Sequence, residues 1–124
     1  MAQSDEEEGI SATCHCGAVT LRLSRAPAEV THCNCSLCRR YGTLWAYYTK
    51  AEVTILSAQP TDTYAWNGRH IDFHRCAHCG CVTHWYPRAE SRDRLGINAR
   101  LLEPAVLDRA RVKQADSGGT GLFH

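Results

Sequence analysis

The clearest chemical feature of the sequence is a short segment in which cysteine is concentrated. Cys33, Cys35 and Cys38 fall within six consecutive residues, and Arg39 and Arg40 follow directly. Thiolates at this spacing can reach one soft divalent metal ion with little ordering of the loop. In an extended segment the first two thiols point to the same face, and a tight turn brings in the third. The segment therefore predicts a three-thiolate site. Its fourth ligand comes from elsewhere in the chain, from water or from a substrate, and an open fourth position is typical of catalytic zinc sites.

Two more pairs of cysteines lie far apart in the chain. Cys14 and Cys16 form one pair near the start, and Cys76 and Cys79 form the other. Together they supply the four thiols of a structural zinc site that joins two distant strands. Cys81 is the odd thiol of this region, and we interpret it as a small buried hydrophobic residue rather than a ligand. His74, His78 and His84 lie nearby in the sequence, and we expect hydrogen-bonding or surface roles for them.

The positive side chains beside the three-cysteine segment have two interpretations. A zinc ion held by three thiolates keeps a net negative charge, which Arg39 and Arg40, or His32, could offset. The same groups could instead hold a carboxylate of a substrate. The alternative is that the two arginines form the solvated face of a short helix. Both interpretations stay open at this point.

Length and composition exclude several classes of protein. The chain has 124 residues, which suits one domain with a modest core. Its formal net charge of +1 indicates no strong electrostatic surface for nucleic acid or membrane. No apolar run approaches the ~20 residues of a membrane span. Eight cysteines and an N-terminus without the pattern of a secretory signal predict a reducing compartment, the cytoplasm, where clustered thiols bind metal rather than form disulfides.

The pattern of apolar residues predicts a mainly β domain with short helical turns. Alternating apolar and polar residues indicate strands, and the Asn67-Gly68 pair is typical of a tight hairpin turn. Residues 36–41 fit one turn of helix that Gly42 ends, and residues 104–110 fit a short helix. We predict an acidic tail over residues 1–10, one domain over 11–113 and a flexible end over 114–124. The predicted strands cover residues 19–24, 44–49, 53–55, 64–66, 70–76, 81–86 and 94–99.

Four ordered motifs carry a resemblance to a known family. They are CHCGAV at 14–19, CNCSLCRRYG at 33–42, CAHCG at 76–80 and GINARL at 96–101. In these motifs the chain resembles the glutathione-dependent formaldehyde-activating enzymes, whose domain also occurs in centromere protein V. The match covers most of the chain, from about Ser11 to Leu102.

The resemblance implies a β-tent fold with two zinc ions and an enzymatic activity. The implied reaction condenses glutathione with formaldehyde to S-(hydroxymethyl)glutathione, which is a carbon–sulfur lyase reaction in the reverse direction. The second zinc would be more labile and take part in glutathione binding, with Arg39 and Arg40 as candidate contacts for glutathione. The implied ligands are Cys14, Cys16, Cys76 and Cys79 for the structural zinc, and Cys33, Cys35 and Cys38 for the second zinc.

Two other functions are compatible with the same residues. One is a zinc-stabilised binding module without turnover, as the likeness to centromere protein V permits. The other is a buffer for metal ions or thiols. The near-neutral charge argues against nucleic acid as the partner of a binding module.

Overall fold

The computed structural model describes residues 10–65 and 69–115, which fold mainly as β-strands and thus confirm the predicted class. The elements are β1 (Ile10–Thr13), β2 (Val19–Leu23), β3 (Glu29–Cys33), α1 (Cys38–Tyr41), β4 (Trp45–Tyr48), β5 (Val53–Ser57), β6 (Asp62–Tyr64), β7 (Ile71–Arg75), β8 (Val82–Pro87), β9 (Leu95–Asn98), α2 (Pro104–Leu107) and β10 (Arg111–Ala115). Within the described residues the strands form a three-stranded sheet in the order β1-β2-β5 and a seven-stranded sheet in the order β10-β3-β4-β9-β8-β7-β6. The two short helices and two 3₁₀ turns (Lys50–Glu52 and Ala99–Leu101) connect the strands.

Period-two alternation sets which side of each strand is buried. In β2 the side chains of Val19, Leu21 and Leu23 are almost fully buried, whereas Arg22 is exposed. They join buried residues of the large sheet, such as Ile97 on β9, in one core cluster. The core therefore lies between the two sheets, and its burial is the main force that holds them together.

The hairpin predicted around Asn67 and Gly68 is present as a pair of antiparallel strands. In β6 and β7, Asp62 lies opposite Arg75 and Tyr64 lies opposite Phe73. The predicted strand residue Trp66 and the two turn residues lie outside the described residues. The antiparallel pairing itself is confirmed.

The last strand, β10, has no counterpart in the sequence prediction. It runs parallel to β3, with Gln114 opposite His32 and Ala115 opposite Cys33. Its side chains are mostly exposed, and the segment lacks the apolar alternation of a strand such as β2. The strand continues two residues beyond the predicted end of the domain at residue 113. Of the predicted tails over residues 1–10 and 114–124, residues 1–9 and 116–124 lie outside the described residues.

The large sheet separates two groups of side chains. One face contributes to the core between the sheets. The other face carries a second buried cluster, which includes Trp45 of β4, Phe73 of β7 and Trp85 of β8 together with two cysteines, Cys35 and Cys38. In the described residues no helix is long and apolar enough to cross a membrane.

Candidate metal centres

The four thiols of the first cluster come together from two distant turns. Cys14 and Cys16 lie between β1 and β2 of the small sheet, and Cys76 and Cys79 lie between β7 and β8 of the large sheet. All four sulfurs lie within 4.8 Å of one another, and Cys16 Sγ is 3.8 Å from Cys14 Sγ and 3.6 Å from Cys76 Sγ. A tetrahedron with Zn–S bonds of ~2.3 Å has edges of ~3.8 Å. The cluster thus fits a tetrahedral metal ion, and a bound ion would fasten one sheet to the other.

Local backbone geometry presents these sulfurs to a metal. Gly17 and Gly80 follow the two pairs with φ of 87° and 82°, a region that only glycine enters readily. The backbone N–H of Val19 donates to Cys14 Sγ at 3.3 Å, and that of Cys79 donates to Cys76 Sγ at 3.4 Å. Such bonds favour the charged thiolate.

The thiol of Cys79 accepts a hydrogen bond from the backbone N–H of Cys81. This bond, together with further amide and thiol contacts, lowers the pKa of Cys79 to about 5. The Cys81 side chain is half-buried, packs against the main core and does not belong to the group of four sulfurs. The sequence predicted a small buried hydrophobic residue here; the side chain is only half-buried, and this interpretation stays a prediction.

The neighbouring histidines belong to neither thiol group. His74 Nδ1 lies 2.8 Å from Thr61 Oγ1, and the His74 and His84 rings stack with their centroids 4.3 Å apart. Burial, and then the neighbouring His74, lower the pKa of His84 to about 3, so it is neutral at physiological pH. His78 is exposed, and its backbone N–H donates to Cys76 Sγ at 3.4 Å. His84 Nδ1 lies 2.8 Å from Thr83 Oγ1, so both His74 and His84 have a hydrogen-bond partner, as expected.

The second cluster is local in the sequence. Cys33 is the last residue of β3, Cys35 lies in the following turn, and Cys38 begins α1. Their sulfurs lie within 4.8 Å of one another. The predicted helical turn is confirmed, and Gly42 ends it with φ of 71° and donates its N–H to Cys38 O at 2.9 Å. Within the part of the chain that the structure describes, no fourth Cys, His, Asp or Glu joins this group.

Hydrogen bonds and burial shift the pKa values of two thiols of this cluster in opposite directions. Burial raises the pKa of the Cys38 thiol well above its usual range. Burial also acts against ionisation of Cys35, but the amide of Cys38, which donates to Cys35 Sγ at 3.3 Å, and the neighbouring thiols outweigh it and lower the pKa of Cys35. Concentrating negative charge on adjacent sulfurs is costly without a cation. The donor set therefore fits a soft metal ion that neutralises it.

Aromatic side chains surround the second cluster. Trp45 Nε1 donates to Cys38 Sγ at 3.3 Å, and the Trp45 ring lies 6.0 Å from Phe73. Further along the same face, Tyr47 and Trp85 lie 6.1 Å apart, and we call this pair the aromatic shelf. The sequence did not predict that aromatic residues group around these thiols.

The arginines beside the second cluster project from α1. Arg39 and Arg40 are both exposed, and the Arg40 guanidinium donates to Ser36 O at 2.8 Å. His32 Nδ1 lies 2.8 Å from Gln114 Oε1 of β10. These contacts are compatible with both interpretations of the charged residues.

Two residues of the GINARL motif form hydrogen bonds to the backbone of segments next to the second cluster. The buried side chain of Asn98 accepts from the backbone N–H of Leu44 at 3.4 Å and donates to Val82 O at 2.8 Å. The Arg100 guanidinium donates to Gly42 O, at the end of the helix that Cys38 begins. The sequence assigned no role to this motif. In the sequence the only signal for this role was an amide side chain, Asn98, at the end of a predicted strand. Its hydrogen-bond partners, Leu44 and Val82, are remote in the chain.

The fold and the two thiol clusters define a mainly β protein that could hold two metal ions. The family model for the glutathione-dependent formaldehyde-activating enzyme matches residues 9–115, and the chain belongs to this family. Among solved structures it is similar to a protein of Rhodobacter sphaeroides, with 27% sequence identity and a TM-score of 0.67 over 84% of this chain and 100% of that one. No protein with a curated description matches the chain in sequence.

Proposed function

We propose that the protein is a zinc-dependent carbon–sulfur lyase-type enzyme that condenses glutathione, or a similar thiol, with formaldehyde or a related aldehyde. The product would be S-(hydroxymethyl)glutathione, as for an S-(hydroxymethyl)glutathione synthase. Membership of the family supports the reaction. The observation that carries the proposal is the second cluster, in which three sulfurs converge without a fourth protein ligand among the described residues.

The two clusters would have different roles. Cys14, Cys16, Cys76 and Cys79 form a complete tetrahedral donor set and would hold the structural zinc. The other site would use Cys33, Cys35 and Cys38, which form an incomplete set and would hold the second zinc. The eight cysteines of the chain are free thiols in the structure, in line with a reducing cytoplasm as the place of action.

The chain's own residues would position the reacting thiol. A zinc ion bound by the second cluster supplies a positive centre that favours the thiolate form of an incoming thiol. The aromatic side chains beside Cys38 exclude water from one side of the cluster, because Trp45 and Trp85 are almost fully buried. Arg39 and Arg40 would add positive charge near the cluster for a glutathione carboxylate.

The reaction itself requires little beyond positioning. The thiol sulfur bonds to the carbonyl carbon, the carbonyl π bond opens, and the thiol proton is transferred to oxygen, so nothing is oxidised or reduced. Formaldehyde adds thiols without a catalyst, and the contribution of the site is orientation and deprotonation. Any measured rate must therefore be compared with the uncatalysed reaction.

The test combines metal content with the rate of adduct formation. We expect two zinc ions per chain, one of which responds to glutathione. Cys35→Ser should stay folded and lose the rate enhancement measured by NMR of the hydroxymethyl adduct. Cys81→Ser, which removes a thiol outside both groups, is the matched control and should keep the enhancement. Unchanged rates in Cys35→Ser, or two zinc ions that do not respond to glutathione, would favour a binding module instead.

A further inference from the structure

Two further arginines, Arg92 and Arg94, lie over the aromatic shelf. The Arg94 guanidinium lies 4.1 Å from the centre of the Tyr47 ring, and that of Arg92 lies 5.7 Å from the centre of the Trp85 ring. Both rings pack with the buried cluster that contains Cys35 and Cys38. A guanidinium stacked on an aromatic face loses little further freedom when it binds an anion.

Trp45 lies between the aromatic shelf and the thiols of the second cluster. Trp45, which bonds to Cys38 Sγ, and Tyr47 lie two residues apart on β4. Side chains two residues apart in a strand share a face and are separated by ~6.6 Å. Arg94, which lies over the Tyr47 ring, is therefore on the same face of the sheet as the cluster, beyond Tyr47. A molecule whose sulfur reached the cluster could place a second polar group at this arginine.

The two guanidiniums have no carboxylate partner in the described residues. Two acidic side chains of this region are engaged elsewhere: Asp93 accepts from the backbone N–H of Lys50 at 2.8 Å, and Asp72 pairs with Arg88 at 2.7 Å. The other ion pairs within the described ranges also leave Arg92 and Arg94 out. Their N–H groups are thus available to an anion from outside the chain.

We propose that Arg94, assisted by Arg92, binds a carboxylate of the thiol substrate while its sulfur lies at Cys33, Cys35 and Cys38. The inference rests on the proposed function and narrows its substrate class. Thiols with a carboxylate several bonds from the sulfur, as in glutathione, would bind well, and small neutral thiols would bind weakly. Arginine suits this role because its planar fork can donate two parallel hydrogen bonds to a carboxylate.

The test compares two thiols on the zinc-loaded protein by isothermal titration calorimetry. Glutathione carries carboxylates, whereas 2-mercaptoethanol carries none. We expect Arg94→Gln to weaken glutathione binding ~10-fold, the effect of losing one charge-assisted contact at a partly exposed site. Binding of 2-mercaptoethanol should not change. Arg22→Gln, on the exposed side of β2 in the small sheet, is the matched control and should bind both thiols as the wild type does.

The outcomes separate this inference from the function on which it depends. An equal loss for both thiols would mean that Arg94 only supports Tyr47, and unchanged glutathione affinity would mean that the carboxylate binds elsewhere; either result overturns the inference alone. Arg94→Lys, which keeps the charge but not the fork, should retain part of the preference for glutathione. Failure of glutathione to bind the zinc-loaded wild type would overturn the proposed function as well.

Discussion

Replacing Gly96 with alanine tests how the aromatic shelf is built. Gly96 on β9 lies opposite both Tyr47 of β4 and Trp85 of β8. A Cβ at this position would contact Trp85 most closely at Nε1, and would lie 2.8 Å from Cε2 and 2.9 Å from Cδ1. Real Cβ atoms essentially never approach other atoms below 3.0 Å. The absence of a side chain therefore lets the indole lie across β9.

Two opposing effects set the change in the free energy of unfolding expected for Gly96→Ala. Gly96 is not among the glycines with positive φ, so its backbone accepts alanine, and this exchange alone would stabilise a strand by ~0.5–1 kcal/mol. The clash must be relieved by displacing a buried indole, and such overpacking costs ~1–3 kcal/mol. Since three ring atoms are involved, we place the clash at the upper end of that range. The net expectation is a loss of ~2 kcal/mol in the free energy of unfolding.

A double-mutant cycle separates this clash from other effects. Trp85→Val removes all three contacting atoms and keeps a residue suited to a strand. In that background Gly96→Ala should stabilise the protein by up to ~1 kcal/mol, so the sign of its effect reverses. The free energies come from urea unfolding of the metal-loaded proteins, followed by circular dichroism. An equal cost of Gly96→Ala in both backgrounds would refute the reasoning, as would stabilisation of the wild type.

Two further predictions concern the metal clusters and the buried imidazoles. Cys76→Ser should unfold the chain, because a structural zinc contributes ~10–16 kcal/mol of binding free energy against a net stability of ~5–15 kcal/mol. Cys38→Ser should instead keep the circular dichroism spectrum of the folded protein and lose one zinc ion. A folded Cys76→Ser protein with one zinc ion would contradict this prediction. The pKa of His84 is lowered from 6.5 to about 3 by burial and then by His74, so below pH 6.5 the unfolded chain binds a proton that the folded chain excludes. The free energy of unfolding should therefore fall by ~1.4 kcal/mol per pH unit as the pH falls from 6.5 toward 3. In His84→Gln, the free energy of unfolding measured with urea at several pH values should fall less steeply. Parallel declines in the two proteins would show that His84 does not titrate this way.

Local patterns in the sequence predicted a large part of the molecule. The spacing of Cys33, Cys35 and Cys38 was sufficient to predict their convergence, because ligands within six residues need only one turn of chain. Alternation predicted the buried side of strands such as β2, since side chains on a strand face opposite directions in turn. The joining of Cys14 and Cys16 to the distant pair followed from counting ligands, and in the structure the four sulfurs lie within 4.8 Å of one another.

Features that depend on pairing between distant strands could not be predicted in this way. β10 is held beside β3 mainly by backbone hydrogen bonds, and its polar residues gave no signal of a strand. The hydrogen bonds of Asn98 depend on where β4 and β8 begin relative to β9. Neither position follows from the residues near Asn98 in the sequence.

The sequence by itself determined the chemistry of this protein: which sulfurs form each group, that the domain is mainly β, and which family it belongs to. These properties depend on residue type and on spacing along the chain, and both are local. Only the tertiary structure decided the surroundings of the second cluster. Sheet order and register place Trp85 over Gly96, and the loop before β9 carries Arg94 to Tyr47. Such contacts join residues that are remote in the chain, and packing of the whole domain selects them.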